Sequence, residues 1–98
     1  MRISELPLDS ISAFCRRYRV RELALFGSAL RADFRPDSDL DILVEFDQDA
    51  QVGLLQLARM QRELTALLGR QVDLVPKRGL KPLIRADVLR NAQVLYAA

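Results

Sequence analysis

The sequence contains no histidine, which removes histidine-based acid–base, nucleophilic and metal-binding chemistry from this chain. Carboxylates are left as the ligands for any metal ion. Cys15 is the only cysteine, so an intramolecular disulfide is impossible and an intracellular, cytoplasmic setting is expected. Aromatic residues make up 6% of the chain, sparse for a surface on which RNA bases would stack. Neither sign of charge dominates: 15 Lys and Arg stand against 13 Asp and Glu, a net +2. That balance helps to attract a nucleotide without arguing for a nucleic-acid-binding surface. The opening MRISELPLDS has no basic region followed by an apolar run, so neither a signal peptide nor a membrane span is expected. No internal repeat, low-complexity tract or interdomain linker is visible.

What is present suits one soluble globular domain over residues 1–98: half the residues are hydrophobic and 29% are charged. Residues 7–18 place Ile11, Phe14, Cys15 and Tyr18 at helical spacing, with Asp9 or Ser10 as N-cap. This helix should cover a sheet, with Cys15 a buried structural thiol and Arg16, Arg17 and Arg19 a solvated basic end. Residues 21–26 read as a strand. Residues 52–68 read as a core helix on Leu54, Leu57, Ala58, Leu64 and Leu68, widened by Leu55 and Leu67. Asp47 or Asp49 is available to cap it and Gly69 to end it. A strand over 71–75 stops at Pro76. Lys77, Arg78 and Lys81 then form a basic loop, solvated or positioned to steer a phosphate or an acidic partner surface. Pro82 opens a helix to residue 91 with Leu83, Ile84 and Val88 inward, and VLYA offers a short edge strand.

The chemistry concentrates in residues 24–46, ALFGSALRADFRPDSDLDILVEF, read as strand, Gly-Ser turn, short helix, loop and second strand. Side chains alternate along a strand, so Asp39 and Asp41 share one side while Leu40, Ile42, Val44 and Phe46 take the other. Two carboxylates that close repel unless a cation lies between them, and oxygen-only ligands suit Mg²⁺. Gly27 lets the backbone turn tightly after the strand, and the free N–H groups that follow favour phosphate. Ser28 can serve as a helix N-cap or as a phosphate ligand. Arg31 can contact a triphosphate or pair with Asp33. Glu45 lies further along the strand and reads as a solvated or ion-paired residue outside the site. Asp73, inside the apolar run QVDLV, reads either as a further site carboxylate or as a strand-edge residue paired with Lys77 or Arg78.

Gly27-Ser28, ten intervening residues and Asp39-x-Asp41 together resemble the signature of the polymerase-beta-like nucleotidyltransferases. In a chain this short the resemblance is to the minimal nucleotidyltransferase (MNT) subfamily, and it spans roughly residues 23–75. It implies an α/β (α+β) nucleotidyltransferase fold, a small mixed sheet with helices packed on it. It also implies a third carboxylate on a later strand, which Asp73 matches. The implied site has Asp39, Asp41 and Asp73 as catalytic, metal-binding residues for two Mg²⁺ ions. Gly27, Ser28 and Arg31 would be its nucleotide-binding residues, with ATP as substrate.

Larger relatives of this fold carry extra domains that bind the acceptor, and no residues are left here for one. The acceptor is therefore expected on another protein or on a second copy of the chain. Minimal nucleotidyltransferases of this kind resemble the antitoxin half of HEPN–MNT toxin–antitoxin pairs. That likeness implies transfer of AMP to a tyrosine of a HEPN-type toxin. Two alternatives remain: a non-catalytic module that neutralises its partner by contact, and a small nucleotidyltransferase acting on a metabolite or an RNA end.

Overall fold

The computed structural model describes residues 5–27 and 39–98. A first helix, α1 (Leu8–Arg17), leads into strand β1 (Val20–Phe26); β2 (Leu40–Phe46), α2 (Leu54–Leu68) and β3 (Val72–Pro76) follow. A 3₁₀ turn (Lys77–Gly79), α3 (Pro82–Asn91) and β4 (Gln93–Ala97) complete the chain. The strands form one sheet in the order β3-β2-β1-β4. β1 runs antiparallel to β2 and β4, while β2 and β3 are parallel, joined through α2. This is the expected α/β architecture with a small mixed sheet. Among the described residues no helix is long and apolar enough to cross a membrane.

The core lies on one face of the sheet. Leu23 and Leu25 of β1, Leu40, Ile42 and Val44 of β2, and Val72 and Leu74 of β3 pack against Ile11, Phe14 and Cys15 of α1 and Met60 and Leu64 of α2. Alternation along the strands puts these residues on one side and leaves the odd-numbered positions of β2 and β3 for the other. Arg17 and Tyr18 at the end of α1 both donate to the carboxylate of Glu63 on α2, which ties the two covering helices together. Arg19 reverses the chain with φ 59°, and its guanidinium bonds Asp49 at 2.6 Å. The basic end of α1 is solvated as expected, with Arg17 and Arg19 each also in an exposed ion pair.

Several local expectations are corrected. Neither Asp9 nor Ser10 caps α1, which starts at Leu8 after Pro7. Gly53, not Asp47 or Asp49, stands at the N-cap of α2, while Gly69 ends that helix in the left-handed conformation as expected. The buried stripe of α2 is Met60 and Leu64, flanked by Leu57, Leu67 and Leu68. Leu54 and Leu55 are 85% and 88% exposed, and Ala58 is exposed as well. Leu54 lies one turn before Leu57 on the same side, so the apolar stripe runs past the end of the core it covers. In α3 no residue is buried: Leu83 is 96% exposed and Ile84 is exposed, with only Val88 partly covered.

Met60→Ala should therefore cost about 2–5 kcal/mol in urea unfolding, whereas Leu54→Ala should stay within about 0.5 kcal/mol of the parent. Equal effects would mean that the stripe is placed wrongly. Cys15 offers a second test, because burial pushes its thiol from 9.0 to about 12. Its folded-state pKa is raised, so the contribution is intact below the unfolded value and is lost as pH rises from 9.0 towards about 12. Cys15→Ala should flatten that alkaline loss of stability, and thiol reagents should label the parent only on unfolding.

Candidate active site

The carboxylates gather at one end of the sheet. The N–H of Leu40 donates to the carbonyl of Gln71 at 2.9 Å, which draws the chain at Asp39 to the start of β3. Within the parallel pair, Asp41 lies in register beside Asp73. Neighbours in register share a face, with strands about 4.8 Å apart. Leu40 beside Val72 and Ile42 beside Leu74 point into the core, so the two aspartates between them project the other way. Asp39 precedes Asp41 by two residues at the mouth of β2; it and Asp73 are exposed, and Asp41 is half-buried. Of the two ion-pair partners expected for Asp73, Lys77 pairs with Glu45 at 3.3 Å, and among the described residues Arg78 forms no ion pair with it.

On the other side of Asp41 its register partner is Phe26, the last residue of β1. Gly27 follows with φ +69°, and a Cβ on it would overlap the carboxylate of Asp41. Glycine is needed here for both reasons: L side chains disfavour that backbone region, and the bare turn rests on Asp41. Ser28, Arg31 and the short helix expected after the turn lie outside the described residues.

Two positioning residues were not foreseen. β3 is an edge strand, and its outward N–H groups would be left without strand partners. Gln61 Oε1 accepts from the N–H of Leu74 at 3.0 Å, and Thr65 Oγ1 from that of Val72 at 3.1 Å. These residues stand four apart on α2, next to its buried stripe. They bracket Asp73 and hold its strand in register. A polar pair at that spacing beside Met60 and Leu64 is the signal that could have revealed them.

The donor set is oxygen-only. Among the described residues no group of three or more His, Cys, Asp or Glu side chains is placed to hold a metal ion by itself, the three aspartates included. Such an arrangement fits Mg²⁺, which is commonly bound through one or two carboxylates plus substrate phosphates instead of an all-protein cage. A bound ion would take its carboxylates from among Asp39, Asp41 and Asp73.

A mixed sheet with this strand order and these covering helices is the fold of a nucleotidyltransferase. The family model of the nucleotidyltransferase domain matches residues 9–95, and the chain belongs to that family. Over 80 residues it is 45% identical to the protein adenylyltransferase MntA of Thermococcus cleftensis, covering 82% of this chain and 77% of that protein. A solved structure provisionally described as a minimal nucleotidyltransferase is 39% identical, with a TM-score of 0.75 and 94% of each chain covered. A chain of a toxin–antitoxin crystal structure with AMP-PNP is 22% identical, with a TM-score of 0.76 over 95% of this chain and 75% of that one. At that identity the likeness is one of fold. The chain is an enzyme of the nucleotidyltransferase class and of its minimal, polymerase-beta-like branch.

The contact between Gly27 and Asp41 can be tested by a double-mutant cycle. Gly27→Ala should destabilise the protein by more than the roughly 1–2 kcal/mol expected of a left-handed non-glycine residue. In an Asp41→Ala background the cost should fall towards that value, because the overlap is gone. Thermal unfolding reads both, and identical costs in the two backgrounds would show that turn and carboxylate do not touch.

Proposed function

We propose that the chain transfers AMP from ATP to a hydroxyl group of a partner protein, a tyrosine of a HEPN-type toxin, and thereby acts as that toxin's antitoxin. The observation that carries the reading is the register pairing of Asp41 with Asp73 beneath the Gly27 turn. The choice of a protein acceptor is supported by the 45% identity to an enzyme named a protein adenylyltransferase. The toxin partner is supported by likeness of fold to chains of toxin–antitoxin complexes.

In the reaction an acceptor oxygen attacks the α-phosphorus of ATP, the bond to the bridging oxygen breaks, and pyrophosphate leaves. Asp39 and Asp41 would hold a triphosphate-bound Mg²⁺, and all three aspartates would share a second ion. When bound, such ions stabilise charge on the attacking and leaving oxygens. Gly27 and Ser28 would hold the outer phosphates, and Arg31 would add positive charge beside them. Asp73 would stand nearest the acceptor hydroxyl and take its proton. Asp41 would be central to that arrangement because it lies between the Gly27 turn on one side and Asp73 on the other.

With α-labelled ATP, Mg²⁺ and a HEPN-type partner, label should appear on the partner. Asp39→Asn combined with Asp41→Asn should lower the rate at least about 100-fold, or about 2.7 kcal/mol of transition-state stabilisation, without loss of partner binding. Absence of label with all four nucleoside triphosphates, while parent and variant bind the partner equally, would leave a binding module in place of an enzyme.

A further inference from the structure

A second concentration of charge lies at the opposite end of the sheet. Glu45 is four residues beyond Asp41 along β2, about 13 Å away at strand spacing. Here β2, β3 and β1 frame a cavity of about 290 Å³. Arg21, Lys77, Arg78 and Arg85 line it, with Glu45 as the one carboxylate among the described lining residues. Lys77 pairs with that carboxylate at 3.3 Å. Among the described residues no carboxylate pairs with the three arginines, all of which are exposed. The cavity thus carries more positive charge than the net +2 of the whole chain.

Three separate features of the fold bring these cations together. β1 carries a register irregularity against β2 between Val20 and Glu22, the position of Arg21. Such bulges re-aim a side chain that regular pairing would place elsewhere. The 3₁₀ turn after Pro76 presents Lys77 and Arg78. Arg85 comes from α3, a helix that buries none of its residues in the core. Phe46, Val52 and Leu57 line the same cavity and give it an apolar part. Guanidinium groups held near one another repel unless an anion lies between them, and their planar forks match phosphate oxygens.

We infer that this cavity is a binding site for a small phosphomonoester whose carbon skeleton lies against Phe46, Val52 and Leu57 while Arg21, Arg78 and Arg85 hold its phosphate. The site is distinct from the carboxylate end and needs no metal ion, because its own cations neutralise the ligand. An acidic protein segment is the competing occupant. It would use the arginines but would have no need of the apolar residues that line the same cavity.

Calorimetric titration in EDTA removes divalent cations from the carboxylate end, and the arginine variant below assigns the remaining binding to this site. Neither an acceptor nor AMP transfer is involved, so the outcome is independent of the proposed reaction. AMP should bind saturably to the parent, more tightly than inorganic phosphate or adenosine alone. Arg78→Gln combined with Arg85→Gln should weaken AMP at least about tenfold, about 1.4 kcal/mol. Both positions are exposed, so the variant should keep the parent's unfolding temperature. Four results would overturn the inference: no saturable AMP binding, equal affinity in the arginine variant, inorganic phosphate as tight as AMP, or a polyglutamate peptide tighter than AMP. The last would assign the cavity to an acidic protein segment.

Discussion

The parallel pairing of β2 with β3 is the constraint on which the acidic end depends. These strands are brought side by side only because α2 crosses back over the core, and their register is set by what lies beneath. Leu40 beside Val72 and Ile42 beside Leu74 fill the core face. A slip of one residue would turn Asp73 inward and Leu74 outward, so the burial of those apolar pairs specifies the carboxylate geometry. Gln61 and Thr65 act on the same strand from its open side, occupying the two N–H groups that flank Asp73. Like charges are therefore held together by packing energy stored elsewhere in the fold.

The sheet also separates charge along its own length. At the end where β2 and β3 begin stand Asp39, Asp41 and Asp73; at the end where they finish stand Arg21, Lys77 and Arg78, joined by Arg85. A net charge of +2 conceals this polarity because the two ends largely cancel. Local field, and not net charge, governs what each end can bind. The two proposed sites therefore differ in kind: cation-bridged phosphates at the negative end, an anion held directly at the positive one.

The helices divide their duties unequally. α1 and α2 cover the core and are tied to each other through Glu63. α3 buries nothing there and instead contributes Arg85 to the basic cavity. Exposed leucines at Leu54, Leu55 and Leu83 lie where these helices extend beyond the surface they could cover.

Much of the architecture was legible in residue order. Alternation in LDILV assigned Asp41 and Ile42 to opposite faces, Gly69 ended α2, Pro82 opened α3, and Gly27 after an apolar strand marked the sharp turn that the positive φ requires. Each of these is a local property: a period or a dihedral preference is carried by the residues themselves. The adjacency of Asp73 to Asp41 came only by resemblance, because a period states which way a side chain points on its own strand and not which strand lies beside it. For the same reason Gln61 and Thr65 looked like ordinary helix residues until β3 lay against them. Arg21 looked like an ordinary strand residue until the irregularity in β1 brought it to the cavity. The apolar spacing of α2 and α3 was real, but how far the core extends beneath a helix is set by the partner surface. Sequence by itself determined the elements and the outward face of β2; the tertiary structure alone decided which charges meet, since that depends on contacts between distant segments.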